Sequence, residues 1–556
     1  MTGEAFESEP RTAAPGRPAR RRLRHFPTVL VALALVALAA MWCTPWLDRD
    51  ARNFITVPLL AGTVLLLGGW FLFCSGVAWR RRLVIVGGAL SIVALLAVSF
   101  RLGGYTGDMR PKIVLRWTPK PDQRLSLPAS QSAPRAGGTV VADLTQTTPY
   151  DYPQFLGPAR LPILSNVTLA PDWKAQRPKL LWRQPIGGGW SAFAVVGQYA
   201  VTQEQRGDLE MVVCYEAQTG RVVWSHADAG RFSSVLGGDG PRATPTVYDG
   251  KIYVQSPRGA LTCLDGADGS VVWSHDLLDE HGTHNLQWGR SGSPLVVDDL
   301  VIVSAGGTAG RSLVAYQAQR GILAWSAGND VSSYSSPALA TLCGIRQVVV
   351  VNQDWVVGHR LSDGQPLWRE TWPGNSGSNA SASQPVAVGG DRLFLSKGYG
   401  IGCELLTLSS DGTDALAAHV LWQRPMLMRT KLTNVVLRDD HVYGLSQGVL
   451  ECVELARGRR RWKQGRYGHG QILLVGDLIL IMAETGEVAL VEASPAQYRE
   501  LGRFQALDGK TWNNPALAGP YLLVRNAEEA ACYQLPLSRP VIGVGQAEMR
   551  GDQPGS

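Results

Sequence analysis

Cys263–Trp273 reads CLDGADGSVVW, and the same skeleton returns as CYEAQTGRVVW at Cys214–Trp224 and AYQAQRGILAW at Ala315–Trp325. It appears again as GHRLSDGQPLW at Gly358–Trp368 and CVELARGRRRW at Cys452–Trp462. Around the first copy lie four short runs, ATPTVYD, KIYVQS, ALTCLD and SVVWSH, with Asp249-Gly250 and Asp268-Gly269 between them. Asp-Gly supplies the positive φ of tight hairpin turns, so the runs predict four short antiparallel strands. Four strands repeated with a period of ~40–50 residues predict a β-propeller.

Counting the aromatic positions sets the number of blades. Trp182, Trp224, Trp273, Trp325, Trp368, Trp422 and Trp462, with Phe504 in the next place, make eight. The first of these has no three strands of its own before it. The last segment, with NPALAG, YLLVRN and ACYQL, has three strands and no Trp after them. Joining LLWRQ at Leu180–Gln184 to that last sheet predicts a ring shut by strands from both ends of the domain, leaving only short sheet edges. The expected fold is all-β: an eight-bladed β-propeller of four-stranded blades with velcro-type closure over residues 151–536, followed by a C-terminal tail, 537–556. In this reading Gly220, Gly269, Gly321, Gly364 and Gly458 permit the turn before the outer strand. The Trp then packs between blades, with its N–H free for a neighbouring carbonyl. Cys214, Cys263 and Cys452 read as small buried hydrophobes.

The charge is unevenly distributed. Residues 1–150 hold 18 Lys and Arg against 8 Asp and Glu, whereas 151–556 hold 35 against 38, so the basic character belongs to the N-terminal part. Nucleic-acid binding by the main domain loses its simplest electrostatic support. Three uncharged apolar runs follow a basic tail at 1–26, at about 27–47, 54–79 and 83–100, each near the ~20 residues a membrane-spanning helix needs. Arg20, Arg21, Arg22 and Arg24 precede the first run, and Arg80, Arg81 and Arg82 separate the second from the third. The positive-inside rule places both groups in the cytoplasm and everything after the third helix outside it. Cleavage of the first run as a signal peptide, near the ALA at Ala37–Ala39, leaves that outcome unchanged. Residues 101–150, with Pro111, Pro119, Pro121, Pro128 and Pro134, read as a flexible Pro-rich linker.

The repeat resembles the Ala-x-Asp-x-x-x-Gly-Lys-x-x-Trp docking motif of the quinoprotein dehydrogenases and their non-catalytic, pyrroloquinoline-quinone-like relatives. Asp265, Gly269 and Trp273 match it, as do Gly220, Arg221 and Trp224 with Glu216 in the acidic place. The resemblance spans ~150–536, and Tyr152-Pro-Gln-Phe-Leu-Gly157 is similar to the Trp-Pro-Gln-x-x-Gly opening of many such propellers. It implies, for active members, a quinone and a calcium ion on the propeller axis, held by a Glu, an Asn and a catalytic Asp, with a Trp under the quinone. This chain has no Cys-Cys pair and no Cys-x-x-Cys-His haem motif. Its repeats are close to the minimum length for four strands, which leaves little inserted material for a cofactor chamber.

If strand 1 of each blade starts at the axis, the residues there are Trp190, Arg242, Trp288, Arg290, Tyr334, Asn379, Lys431, Asn434, Trp512 and Asn513. This aromatic, cationic and amide mixture suits a planar polyanion, although propeller channels are polar and wet in general. His281 and His284 are three apart, a spacing that lets two histidines share a metal on one helical turn, but they have no evident third ligand. Asp239, Asp330 and Asp354 are carboxylates near a channel, with nothing to single one out as a base. Gly187-Gly188-Gly189 lacks the lysine of a phosphate loop.

The leading reading is a membrane-anchored, extracytoplasmic interaction or envelope-assembly scaffold at the inner membrane of a bacterium, with no catalytic residues and no metal or cofactor. The resemblance also supports an alternative, a dehydrogenase using pyrroloquinoline quinone and calcium and passing electrons to membrane quinone. A glycan-binding propeller with Trp355 and Trp372 in an exposed row is a third.

Overall fold

In the computed structural model, Cys263 stands directly opposite Trp273 across an antiparallel strand pair. The quoted stretch is thus the third strand, turn and outer strand of one four-stranded sheet, Thr246–Tyr248, Lys251–Gln255, Ala260–Asp265 and Val271–Asp276. The structure describes residues 25–44, 47–126, 141–373, 380–412 and 415–538. The described residues form two units, one of 25–103 with 109–117 and the other of 104–108 with 118–538.

The second unit is an eight-bladed propeller. Blades 1 to 7 occupy 194–229, 246–276, 295–327, 338–371, 386–424, 435–466 and 471–505. Blade 8 takes Ala516–Ala518, Tyr521–Arg525 and Glu529–Gln534 from the C-terminal side and its outer strand, Lys179–Pro185, from the N-terminal side. Cys532 faces Trp182 across that joint, which closes the ring as the repeat count predicts. The apolar cores lie between blades: Tyr253, Leu261 and Trp273 of blade 2, for instance, pack on Val301, Val314 and Tyr316 of blade 3.

A β-bulge in each outer strand directs the tryptophans. Cys263 opposes Trp273, but Leu264 opposes Val271, so Val272 is one residue extra. The same one-residue shift occurs at the corresponding place in all eight blades. The inserted residue breaks the two-residue alternation of the strand and re-aims the next side chain. The indoles accordingly bond to the following blade: Trp182 Nε1 donates to Ala217 O at 2.8 Å, Trp224 to Gly266 O at 2.9 Å and Trp273 to Ala318 O at 2.8 Å. Trp325, Trp422 and Trp462 do likewise, to Leu361 O, Leu455 O and Ser494 O.

The motif glycine has a second role that the turn alone does not reveal. Gly269 has φ 78°, and a Cβ there would lie 2.5 Å from Cε3 of Trp224 in the preceding blade. Gly220, Gly321, Gly364 and Gly458 receive Trp182, Trp273, Trp325 and Trp422 in the same way. Each glycine therefore serves both its own turn and its neighbour's indole.

Two blades depart from this pattern. In blade 4, Trp368 folds over its own sheet and donates to Gln347 Oε1. Gly358 stands beneath it because a Cβ there would fall 2.0 Å from the indole nitrogen. In blade 7 the residue opposite Leu490, the place a Trp holds elsewhere, is Gly502, which corrects the assignment of Phe504 to that place. Phe504 lies two residues further along the strand, opposite Val488. Trp173, from the chain before the first blade, lies over Gly502, with 3.0 Å from its Cβ to a Cβ built there, and meets Phe504 edge-on at 5.7 Å. A Trp from outside the repeat thus fills the gap.

The cysteines at the first motif position are buried as expected. Burial pushes the Cys263 and Cys452 thiols up to about 12, so they are inert packing groups. All eight cysteines are free.

The first unit contains α1 (Phe26–Cys43), α2 (Arg49–Cys74) and α3 (Trp79–Ser99), each long and apolar enough to cross a membrane, with mean hydropathy 2.3, 2.0 and 2.2. α2 starts five residues earlier than its apolar run, and Arg80–Arg82 form the first turn of α3 rather than a loop. Helical backbone continues through these charges because they sit at helix ends, where side chains can serve open backbone groups. Arg82 donates to Leu72 O at 2.9 Å, a carbonyl left open at the end of α2, and to Val77 O at 2.6 Å in the connection that follows.

Within the stretch read as a linker, Phe100–Tyr105 and Pro111–Leu115 pair as a two-stranded sheet, and Pro121–Arg124 forms a 3₁₀ turn. This part has defined structure; the remainder at 127–140 lies outside the described residues, as do the tails apart from 25–26 and 537–538.

Candidate functional site: the channel mouth

The connections that lead from each outer strand to the next inner strand converge at one end of the channel, where six of the ten predicted axial residues come together. Trp190 and Trp512 meet with ring centroids 5.0 Å apart, and Lys510 Nζ lies 4.0 Å from the Trp512 ring and 4.7 Å from that of Trp190. Trp190 Nε1 donates to Gly237 O at 2.6 Å. Arg242 donates to Gly237 O and Gly238 O, at 3.1 and 2.9 Å, and stacks on Phe232 at 4.5 Å. Trp288 continues the arc, stacked on Tyr334 at 5.1 Å. From blade 6, Lys431 donates to Gly107 O at 3.4 Å.

The remaining candidates tie blades together. Arg290 is 2% exposed and donates to Ser304 O, Ser332 Oγ and His284 O. Asn434 accepts from Gln384 N, and Asn513 donates to Ser191 O at 2.8 Å. Asn379 lies outside the described residues.

Sequence reasoning named Asp239 but missed Glu484 and Asp122, and what binds all three. Glu484 accepts from Gly107 N at 2.5 Å, Trp512 Nε1 at 3.0 Å and His469 N at 3.0 Å. Asp239 accepts from Lys120 at 2.7 Å, Arg231 at 2.9 Å and Ser233 Oγ at 2.5 Å. Burial works against its ionisation, but these cations and the hydroxyl outweigh it and hold the carboxyl below its ordinary range. Asp122 takes the other fork of Arg231 at 2.6 Å. Residues 104–108 and 120–126 thus supply partners to groups at the mouth, including Ser126 O to Arg206 at 2.9 Å. Nothing in the composition of those short segments signals this, because their partners are 80 or more residues away.

Other sequence candidates separate in space. His281 turns inward to bond Tyr316 OH at 2.7 Å, and burial lowers its pKa, whereas His284 is exposed, so the pair does not converge. Asp330 pairs with Arg369. Trp372 is 1% exposed, and Arg369 covers Trp355 at 3.7 Å, so the two form no exposed aromatic row. Gly187 and Gly188 run against blade 1, where Gly187 N donates to Glu204 at 2.5 Å and Gly188 N to Gln205 O at 2.9 Å.

A quinone with calcium would need an anion-accepting aromatic cleft and several converging oxygen ligands. Trp190, Trp512 and Lys510 meet the first need. The second is unmet: among the described residues no three His, Cys, Asp or Glu side chains gather, and Glu484, Asp239 and Asp122 are occupied by protein donors. The residues present do not fit the pair.

The propeller has known relatives. The outer membrane protein assembly factor BamB of Yersinia pestis is 24% identical over 290 residues, 50% of this chain and 66% of its own length. Quinohemoprotein alcohol dehydrogenase ADH-IIG of Pseudomonas putida is 28% identical over 125 residues, 21% of this chain and 17% of its own. In both, the aligned part is less than two thirds of the relative. Among solved structures, BamB from Moraxella catarrhalis aligns at 15% identity over 64% of this chain and 100% of that one, with TM-score 0.45. Quinohemoprotein alcohol dehydrogenase ADHIIG from Pseudomonas putida HK5 aligns at 13% identity over 74% and 85%, with TM-score 0.46. A family model described as outer membrane protein assembly factor BamB matches residues 173–286 and 212–464, together more than half of the chain, and the chain belongs to this PQQ-like propeller family.

Proposed function

We propose that this chain is a membrane-anchored, extracytoplasmic propeller that acts as a protein-interaction or envelope-assembly scaffold without catalysis. The observation that carries the reading is the state of the channel mouth. Its carboxylates, Glu484, Asp239 and Asp122, are held by backbone amides, an indole and cations of the same chain. Asp239, which despite its burial is held below its ordinary range by these cations, is a poor general base at neutral pH, and the oxygens of Glu484 and Asp122 are engaged by protein donors. A rigid ring presenting loops on two faces suits binding, and the assembly role stated in the name of the Yersinia pestis relative agrees with it. The three apolar helices provide the anchor, and arginines at 20–24 and 80–82 support an inner-membrane orientation with the propeller outside the cytoplasm.

Calorimetry on the full chain in micelles, titrated with pyrroloquinoline quinone and calcium, tests the absence of cofactor. The expected result is no saturable heat, with cross-linking in cells trapping envelope proteins. Calcium-dependent saturation would instead favour a dehydrogenase, for which Lys510 between Trp190 and Trp512 is the supporting observation.

A further inference from the structure

The outer strand of blade 6, Arg459–Arg466, differs from the other seven in charge. Residues 457–466 hold five Arg and one Lys with no acidic residue. The outer strands of blades 1, 2 and 3 contain no Lys or Arg, those of blades 4, 5 and 7 one each, and that of blade 8 two. The two residues before the Trp are exposed apolar pairs in blades 2 and 5, Val271 with Val272 and Val420 with Leu421. In blade 6 they are Arg460 and Arg461, with side chains 42% and 49% exposed.

Few carboxylates answer this charge. Glu451 is fully buried and engages Arg460 at 2.5 Å, Glu454 is 4.0 Å from Arg461, and Asp108 is 3.9 Å from Arg466. Arg424 of blade 5 adds to the patch, its guanidinium donating to the backbone carbonyls of Gln423, Arg457 and Gly458. Protection of a sheet edge does not account for the five cations of this strand, because the other seven manage with two or fewer. The strand is bulged at Arg461 and Gly465, which breaks the even spacing an added strand would need. Recognition along this edge therefore runs through side chains, and guanidinium forks match carboxylates.

We infer that the outer edge of blade 6 is a docking surface for an acidic, extended segment of a partner protein, whose carboxylates are taken by Arg424, Arg457, Arg459 and Arg461. This assigns a partner chemistry to the scaffold reading and rests on it.

The test uses the full chain in neutral-detergent micelles and a fluorescein-labelled decaglutamate peptide, read by anisotropy across a salt series. Binding is expected to weaken steeply with salt. The triple variant R457S/R459S/R461S is expected to lose about tenfold in affinity, as the loss of three exposed ion pairs implies. Its far-ultraviolet circular dichroism and melting temperature should match the parent, since all three side chains are exposed. The Lys-substituted triple should retain most of the binding. Equal peptide affinity in the parent and the serine triple overturns the proposal. So does binding to anionic phosphatidylglycerol vesicles that depends on the three arginines without peptide binding, because that outcome names a lipid surface instead. Failure of either kind leaves the envelope cross-linking result, and with it the scaffold reading, to stand or fall separately.

Discussion

Removing Trp224 and giving Gly269 a side chain, alone and together, separates the two roles of the repeat glycine. Trp224 is 6% exposed and donates to Gly266 O at 2.9 Å, so Trp224→Ala removes a buried indole and leaves a carbonyl open. The expected cost is about 3–5 kcal/mol. Gly269→Ala meets two obstacles: a positive φ of 78°, and a Cβ 2.5 Å from Trp224 Cε3. The backbone contributes about 1–2 kcal/mol, and displacing a packed ring adds about 1–3 kcal/mol. With the indole gone only the backbone part of the glycine effect remains. The double variant should therefore be less destabilised than the sum of the singles by about 1–3 kcal/mol. Urea denaturation followed by circular dichroism, with all four proteins in one detergent, supplies the cycle. Strict additivity would refute the argument, showing that Gly269 is required for its turn alone and that the indole does not press on it.

Three further outcomes are expected. Trp173→Ala, although outside the repeat, should cost about 3–5 kcal/mol, because Trp173 fills the position left by Gly502; thermal melts against Trp224→Ala check the equivalence. Glu204 is fully buried and accepts from Arg206, Tyr215 OH and Gly187 N at the ring closure, so Glu204→Ala should cost about 3–5 kcal/mol, read as a fall in the urea midpoint. Burial, with the charge of Glu370, raises the Glu404 carboxyl to about 7 from the 4.5 of the unfolded chain. Folding then binds a proton, so this contribution is fully present below pH 4.5 and is lost as pH rises through 7. Glu404→Gln should leave stability at pH 4.5 nearly unchanged and exceed the parent at pH 8 by on the order of 2–3 kcal/mol, measured by melts across that range.

The architecture was readable in the chain because its causes are local. A strand–turn–strand unit of fixed length, marked by Gly and Trp, cannot bury its faces alone and must stack on copies of itself. Counting those marks yields eight blades, and an orphan outer strand at 180–184 yields the closure. The apolar runs were equally plain, since crossing a membrane depends on length and composition. Other features depended on neighbours that the one-dimensional pattern does not reveal. The bulge before each Trp shows only in the register with the third strand, and Gly358 is explained only by the indole lying on it. Phe504 held the expected spacing, yet Gly502 and Trp173 share that place in space.

The candidate site divides along the same line. That Trp190, Arg242, Trp288, Tyr334, Lys431 and Trp512 gather at one mouth follows from their equivalent places in successive repeats. Which carboxylates meet them, and that Glu484 and Asp239 are already engaged by residues 104–120, was decided by contacts between segments more than 100 positions apart. Repetition carries the fold because every blade obeys the same short-range rule. The chemistry of the mouth breaks that repetition, and only the closed ring determines which unlike residues meet there.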